Sequence, residues 1–304
     1  MSSVIVFGPT GGVASVAARA AQENGAKVFL AMRDTQKAIP GLSAEAEQEG
    51  GYQRVQADLT QPDLVAAAVQ ASGATRAFIY LVHGTPDHMR ATLAALKSAG
   101  ITFVVFLSSC AIMGEPKDVV PSEIIPFVHA QVEISLDEIF GLNYVALRPG
   151  SFATNLLWFK KGIEIGEVKI YAPKFRFDYI TPEDIGRIGG TILVQGPRNN
   201  QQKIYLYGPK IIAQEDGISV VAKSINKDVK ITTITEQEAL DQYIQAGIPK
   251  AVAEYILRKS GSTSNELTDR PCYEIGVENV QLYTGKPPTG LEDWVKANKG
   301  LFSG

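Results

Sequence analysis

The sequence contains little cysteine and little histidine. Among its 304 residues only two are cysteines, Cys110 and Cys272, and three are histidines. Two cysteines so far apart exclude a disulfide framework, and the few Cys and His residues give no zinc-binding spacing. A chain of this length can be stabilised by its hydrophobic core alone. We expect a reducing, cytoplasmic setting.

Long apolar runs and basic runs are also missing. No stretch of about 18 apolar residues occurs, and the first residues lack the basic start and long apolar segment of a signal peptide. We therefore expect no membrane span. The formal net charge is −3, and no segment is strongly basic. This charge distribution argues against nucleic-acid binding, although it does not exclude an anionic small molecule.

Short apolar runs alternate with helix-like segments over the first half of the chain. Strands are predicted at 4–7, 27–32, 52–57, 77–82, 102–108 and 144–147. Helices are predicted at 13–24, 62–71, 86–99 and 126–140. This alternation predicts a Rossmann-type α/β fold, which is a doubly wound parallel sheet with helices on both faces. We expect residues 1–150 to form this dinucleotide-binding domain.

The regular alternation of predicted strands and helices ends after Arg148. We expect residues 151–304 to form mainly a smaller C-terminal α+β region that binds substrate, with later segments returning to the sheet. The pattern there predicts a strand at 203–207, a helix from about residue 213, one helical stretch at 236–258 and a mobile loop at 259–268.

A glycine-rich turn follows the first predicted strand. Its sequence is Gly8-Pro9-Thr10-Gly11-Gly12-Val13-Ala14. Small residues let the backbone approach a diphosphate, and the N–H groups at the start of the next helix then face that phosphate. We predict that the turn binds a dinucleotide; a plain tight turn is the alternative. The predicted contacts are Gly8, Thr10, Gly11, Gly12 and Val13.

The end of the second predicted strand bears on the choice of nicotinamide cofactor. Arg33 comes first, with Lys37 four residues later. Two cations near one ribose favour NADP(H), because a guanidinium pairs well with a 2′-phosphate. Asp34 is the competing signal for NAD(H), unless it caps the next turn or pairs with Lys37. We predict NADP(H), with Arg33 and Lys37 as phosphate ligands.

The next two strand ends supply further candidates for cofactor binding. Asp58 and Leu59 follow the third strand, where Asp58 can accept from the adenine amino group, start the next helix, or do both. Val82, His83 and Gly84 end the fourth strand, where the chain passes the ribose. A loop without contact to the cofactor is the alternative for His83.

A series of short motifs runs along nearly the whole chain. The motifs are residues 8–12 of the turn, Ala31-Met32-Arg33-Asp34, Ala57-Asp58-Leu59, Phe106-Leu107-Ser108-Ser109, Val132-Glu133, Leu147-Arg148-Pro149-Gly150-Ser151-Phe152 with Asn155, Tyr179-Ile180-Thr181-Pro182-Glu183-Asp184-Ile185, and Tyr283-Thr284-Gly285-Lys286-Pro287-Pro288 followed by Trp294. In this order they resemble the NmrA-like family of atypical short-chain dehydrogenases, and its fungal members in particular. The resemblance implies a Rossmann domain, a small C-terminal domain and a ligand cleft between them.

The resemblance also locates a candidate catalytic position. Family reductases usually carry a lysine three residues before the Val-Glu motif, which gives His129 here. The tyrosine of ordinary short-chain dehydrogenases would fall at Ile125, so the Tyr–Lys pair is absent. We predict His129 as an acid or base, since imidazole titrates near neutral pH; a structural role is the alternative. Ser108 and Ser109 are predicted to hold a substrate oxygen, or simply to satisfy their loop.

The segment after the sixth predicted strand is expected to run along the nicotinamide. Pro149, Gly150, Ser151 and Phe152 are predicted to contact that ring and its carboxamide. Aromatic residues follow, and in a cleft they would suit a flat aromatic substrate; core packing is the alternative. The predicted substrate residues are Asn155, Trp158, Phe159 and Phe175. Asp184 is expected to fix a loop between the two regions.

Three functions remain open at this point. The first is an NADPH-dependent oxidoreductase that acts on a quinone or polycyclic aromatic carbonyl compound. The second is an NADP(H)-sensing regulatory protein that binds a protein partner, for which the missing Tyr–Lys pair speaks. The third is a non-redox isomerase or rearrangement enzyme that uses the same cleft. A small aromatic molecule, a protein partner or a second copy are the expected partners, and a metal is not expected.

Overall fold

A seven-stranded parallel sheet forms the centre of the computed structural model, which describes residues 2–261 and 270–303. The neighbouring strands all pair in parallel. The order reverses between the first and fourth strands, which is the point where doubly wound sheets bind ligands. In spatial order the strands are β3 (Gln53–Gln56), β2 (Lys27–Met32), β1 (Ser3–Phe7), β4 (Arg76–Tyr80), β5 (Phe103–Leu107), β6 (Tyr144–Pro149) and β9 (Lys203–Leu206).

Helices cover both faces of this sheet, and the central strands are accordingly buried. One face carries α1 (Gly12–Glu23), α7 (Pro182–Gln195) and α11 (Tyr273–Thr284). The opposite face carries α3 (Pro62–Ser72), α4 (Arg90–Ser98) and α5 (Ile124–Phe140). A short helix, α2 (Ala44–Glu49), lies between β2 and β3. The predicted Rossmann-type α/β fold is therefore confirmed.

Helix α7 packs very closely against α1. A Cβ added to Gly190 would lie 2.3 Å from the carbonyl oxygen of Ala17, and one added to Gly186 would lie 2.5 Å from Cβ of Val16. Only glycine at these two positions lets the helices approach so far. The C-terminal half of the chain thus supports the helix that begins at the glycine-rich turn.

The remaining elements build a second, smaller core. Strand β7 (Glu167–Ile170) pairs in parallel with β11 (Lys230–Thr233), and β8 (Arg176–Phe177) pairs antiparallel with β10 (Ile212–Ala213). Leu156, Ile163 and Trp294 are among the buried side chains at its centre. The helices of this region are α6 (Lys160–Ile165), α8 (Gln214–Ser224), α9 (Glu236–Gln245), α10 (Lys250–Gly261) and α12 (Leu291–Ala297), and the 3₁₀ helix Ala153–Phe159 precedes them.

Two of the predicted helices need correction. The single helical stretch at 236–258 is wrong, because α9 and α10 are separated by a turn in which Gly247 has φ of +85° and Pro249 follows. The helix predicted from residue 86 begins only at Arg90, since His88 and Met89 have positive φ. Of the predicted loop at 259–268, the first three residues belong to α10 and the rest lie outside the described residues.

Within residues 2–261 and 270–303, no helix combines the length and the apolar character that crossing a bilayer requires. The same ranges contain no group of three or more His, Cys, Asp or Glu residues arranged to hold a metal ion.

Candidate functional site

The glycine-rich turn joins β1 to α1 as predicted. The Gly8 N–H donates to the carbonyl oxygen of Ala31 at 2.9 Å, and the Gly11 N–H donates to that of Gly8 at 2.9 Å. Gly8 has φ of +69°, and a Cβ there would lie 2.5 Å from Cε1 of Tyr80. The turn therefore requires glycine at this position. Gly11 and Gly12 lie exposed at the start of α1, so their backbone is open to a ligand.

A cleft of about 280 Å³ opens at the carboxyl ends of β1, β2, β3 and β4. It brings together predicted cofactor residues from four separate strand ends. Tyr80, whose ring packs over Gly8, also lines the cleft and was missed from the sequence, because only the spatial neighbourhood of β1 and β4 brings it there. The predicted residues that line the cleft are Gly8, Thr10, Arg33, Asp58, Leu59, Val82 and His83.

Asp34 and Arg33 have different roles at the end of β2. The Asp34 carboxylate accepts the N–H of Gln36 at 2.9 Å, so it caps the turn, which was one of its two alternatives. Arg54 donates to the carbonyl oxygens of Thr35 at 2.5 Å and Lys37 at 3.0 Å and thereby holds the same loop. Arg33 lines the cleft, whereas Asp34 and Lys37 do not belong to its lining.

Asp58 holds the turn that leads from β3 to α3. Its Oδ1 accepts from the N–H of Thr60 at 2.9 Å and from the Thr60 hydroxyl at 2.8 Å. These hydrogen bonds, led by that of the Thr60 backbone, hold the pKa of Asp58 below its usual value. The carboxylate is thus ionised and fixed in the wall of the cleft, while Gln61 is the residue that precedes α3.

The loop after β6 is held by a buried ion pair. The Ser151 N–H donates to Oδ1 of Asp178 at 3.1 Å, and Nη2 of Arg270 donates to the Ser151 hydroxyl at 3.2 Å. Arg270 Nε lies 3.1 Å from Asp178 Oδ1 but without hydrogen-bond geometry, so this contact is an ion pair. The Gly150 N–H donates to Leu206. Gly150 and Ser151 are predicted to contact the carboxamide, and the N–H groups of both are engaged within the protein.

A second buried ion pair lies under the carboxyl ends of β5 and β6. Arg148 donates to both oxygens of Glu133, at 3.0 and 2.6 Å, and to the Tyr205 hydroxyl at 2.9 Å. The Ser108 hydroxyl donates to Glu133 at 2.6 Å. Ser109 instead accepts the N–H of Ala111 at 3.2 Å. The Ser108 hydroxyl proton is used by Glu133, so toward a ligand this oxygen can only accept a hydrogen bond. Its observed role is to connect the end of β5 to α5.

His129 lies on α5 beside this network. Its Nδ1 is buried and has no hydrogen-bond partner among the described residues. The ring centroid lies 6.1 Å from that of Phe106. Burial, with a smaller contribution from His83, lowers the pKa of His129 to about 3. The imidazole is therefore neutral near pH 7, and its protonated form is too scarce to serve as a proton donor.

An aromatic cavity of about 530 Å³ adjoins α5 and the segment after β6. Asn155, Trp158 and Phe159 line it, so three of the four predicted substrate residues meet there. Phe175 packs on Phe177, a lining residue, with ring centroids 4.9 Å apart. The far wall comes from α9 and α10 and was not predicted. The remaining lining residues are Ile125, Thr154, Leu156, Phe177, Tyr179, Gln214, Tyr243, Ile248 and Ile256.

Asp184 fixes a loop, as predicted. Its two carboxylate oxygens accept from the N–H of Thr289 at 2.8 Å and from the Thr289 hydroxyl at 3.1 Å. The neighbouring Glu183 accepts from the indole of Trp294 at 2.9 Å. Helix α7 is tied in this way to the C-terminal segment.

The strand-order reversal, with a glycine-rich turn at the same point, defines a Rossmann-type nucleotide-binding fold. The model of the NmrA-like family matches residues 1–295. Nitrogen metabolite regulation-like protein bik4 of Gibberella fujikuroi is 35% identical over 315 residues, covering 97% of this chain and 96% of that protein. The chain belongs to the NmrA-like family, which confirms the resemblance read from its motifs.

Solved structures show the same fold at low sequence identity. The NADPH-dependent quinone oxidoreductase QOR2 from Escherichia coli, complexed with NADPH, matches with a TM-score of 0.73 and 18% identity, covering 97% of this chain and 99% of that one. The triphenylmethane reductase of Citrobacter, complexed with NADP(H), matches with a TM-score of 0.72 and 15% identity, covering 97% and 99%.

Proposed function

We propose that the protein binds NADP(H) in the cleft at the ends of β1 to β4 and reduces a quinone or polycyclic aromatic carbonyl compound that binds in the aromatic cavity beside α5. The observation that carries this proposal is the convergence of Gly8, Thr10, Arg33 and Asp58 on one cleft. The glycine turn would hold the diphosphate, and Arg33 would pair with the 2′-phosphate. The structural relatives named above, one with NADPH and one with NADP(H), support the same choice.

The residues present fit such a cofactor. Gly11 and Gly12 leave the backbone at the start of α1 exposed, and the unpartnered Nδ1 of His129 lies on α5, the helix that carries the cavity residue Ile125. Bound NADPH would supply the hydride. His129, as a neutral imidazole, would hydrogen-bond the ribose or the substrate oxygen, and the proton of the product would come from water. Ile125 lies one helical turn from His129 on α5 and lines the cavity, whereas His129 itself is not among the lining residues.

Cofactor titration tests the first half of this proposal. We expect NADPH to bind more tightly than NADH, measured by calorimetry. Arg33→Ala should weaken NADPH by about 1–3 kcal/mol, the range for charge-assisted hydrogen bonds, and leave NADH nearly unchanged. Lys296→Ala, which removes an exposed cation on α12, is the charge-matched control. Equal loss for both cofactors, or no binding by the wild type, contradicts the proposal.

Turnover tests the second half. Oxidation of NADPH should occur with members of a panel of quinones and enones. His129→Ala should lower it by about 10²-fold, the cost of losing one positioned hydrogen-bond donor to the substrate oxygen. A neutral, desolvated His129 also favours a second candidate, an NADP(H)-sensing regulator without turnover. Tight NADPH binding with no oxidation across the panel, together with a protein partner recovered by pull-down, would decide for the regulator.

A further inference from the structure

We propose that the aromatic cavity selects planar compounds of more than one ring that carry no negative charge, and that α9 and α10 form the wall responsible for this selection. The inference deepens the proposed function and rests on the same cavity. It starts from the chemistry of the lining, which contains no Asp, Glu, Lys, Arg or His among the described residues.

The polar groups of the cavity are all neutral. The polar side-chain groups are the hydroxyl of Thr154, the amides of Asn155 and Gln214, the indole N–H of Trp158, and the hydroxyls of Tyr179 and Tyr243. These groups can hydrogen-bond a carbonyl or phenol oxygen. A carboxylate or sulfonate would lose its hydration in the cavity without gaining a cationic partner. We therefore expect an anionic ligand to bind more weakly than a neutral ligand of the same shape.

Cations next to the lining in sequence do not change this conclusion. Arg176, the sequence neighbour of Phe177, donates to the carbonyl oxygen of Ile211 at 3.0 Å. Lys174 forms an ion pair with Glu215, and Lys160 lies 3.9 Å from Glu164 and donates to the carbonyl oxygen of Ser303 at 3.1 Å. Each is therefore already neutralised or engaged outside the cavity.

The aromatic rings favour a flat ligand. The Trp158 and Tyr243 ring centroids lie 5.6 Å apart with the planes tilted by 57°, and those of Phe177 and Tyr179 lie 5.5 Å apart at 45°. Ring faces and edges of this kind pack well against another aromatic system. A volume of about 530 Å³ lies within the usual range for small-molecule sites and exceeds what a single ring needs.

The break between α9 and α10 creates the selecting wall. The turn at Gly247 lets α10 fold back, and Ile248 in that turn joins Tyr243 of α9 and Ile256 of α10 in the lining. Helix α10 is fixed on α5 by Glu123, which pairs with Arg258 at 3.0 Å and Lys259 at 2.9 Å. An uninterrupted helix could not bring both of its ends over one cavity.

Tryptophan fluorescence tests the inference without requiring any turnover. The chain has two tryptophans. Trp158 lines the cavity and is 47% exposed, whereas Trp294 is 3% exposed and bonded to Glu183. A ligand in the cavity should quench Trp158 in a saturable way. Trp158→Phe should abolish this quenching and leave the Trp294 emission, which reports that the variant is folded.

The ligand series isolates charge and ring number. We expect 2-(hydroxymethyl)anthraquinone to bind at least about tenfold more tightly than anthraquinone-2-sulfonate, which has the same rings and a negative charge. Tetramethyl-1,4-benzoquinone, with one ring, should also bind more weakly than the neutral anthraquinone. Gln214→Lys should reduce or reverse the preference against the sulfonate. Equal affinities for the two anthraquinones in the wild type overturn the inference.

The wall itself is tested by a pair of variants. Tyr243→Ala should weaken the neutral anthraquinone by about 3–10-fold through the lost aromatic contact, and Tyr243→Phe should retain the wild-type affinity. If Tyr243→Ala binds as the wild type does, α9 takes no part in selection. Because binding is read directly, absent NADPH oxidation would refute the proposed function while a selective quench still supports the cavity's preference.

Discussion

Removing one partner of the buried Arg148–Glu133 pair should destabilise the protein strongly. The Arg148 side chain is 2% exposed and that of Glu133 is 0% exposed, so neither charge can turn to water if the other is lost. Arg148→Met leaves the Glu133 carboxylate with the Ser108 hydroxyl as a hydrogen-bond donor. Uncompensated buried charges of this kind cost about 3–5 kcal/mol, a large part of a typical stability of about 5–15 kcal/mol.

The matched control is an exposed pair of the same chemistry. Arg90 and Glu138 form an ion pair whose side chains are 54% and 52% exposed. Arg90→Met should therefore change stability by about 0–1 kcal/mol. The double variant Glu133→Gln with Arg148→Met removes both buried charges and keeps an acceptor for Ser108, so we expect it to recover most of the loss.

Urea unfolding gives the comparison. The emission of buried Trp294 and the far-ultraviolet circular dichroism should be followed together, because coincident transitions justify a two-state reading of the midpoints. A cost below about 1 kcal/mol for Arg148→Met, or one equal to that of Arg90→Met, would refute the view that burial makes this pair indispensable.

Three further predictions concern other features of the fold. Burial lowers the pKa of His129 from 6.5 to about 3, so between these two pH values the unfolded chain binds a proton that the folded protein does not. The free energy of unfolding should therefore fall as the pH drops from 6.5 to 3, by up to about 1.4 kcal/mol per pH unit. His129→Gln should flatten the slope of the urea midpoint against pH, and an unchanged slope would contradict a desolvated imidazole. Gly190→Ala should lower the free energy of unfolding by about 1–3 kcal/mol, because a Cβ there would lie 2.3 Å from the backbone of the facing helix. Gly300→Ala, which has open space around it, should change it little. Thermal unfolding measures both variants, and equal melting temperatures would contradict the close packing. Arg270→Met should leave Asp178 buried without its cation and speed amide hydrogen exchange at residues 150–152. Arg270→Lys should restore part of the protection. Unchanged protection in Arg270→Met would contradict a role of the ion pair in holding this loop.

Local sequence patterns were sufficient to predict most of the sheet and to bring several of the predicted residues to one cleft. Strand ends in a parallel sheet share one edge, so a correct order of β and α elements already brings Gly8, Arg33, Asp58 and His83 to the same side. The glycine-rich turn also carries its own local reason, since a positive φ and a close neighbour at Gly8 demand glycine.

Long-range partners could not be read in this way. Tyr80 covers Gly8 only because β4 pairs with β1, and Tyr243 reaches the cavity only because the chain turns back after α9. Asp178 and Arg270 are separated by many residues and meet in the folded chain alone. The break at Gly247 did have a local signal, glycine followed two residues later by proline, and the helical spacing on either side concealed it.

The contact between α7 and α1 has a consequence for synthesis on the ribosome. The alanine-rich face of α1 is covered only by α7, which ends at Gln195 of the 304 residues. Strand β6 gains its outer neighbour only when β9 has been made. Until those segments have left the exit tunnel, the nascent N-terminal half carries a bare apolar helix flank and an open strand edge. Such a chain is prone to aggregate and to recruit chaperones, so translation must pass β9, which ends at Leu206, before the sheet has both its outer strand and its second covering helix.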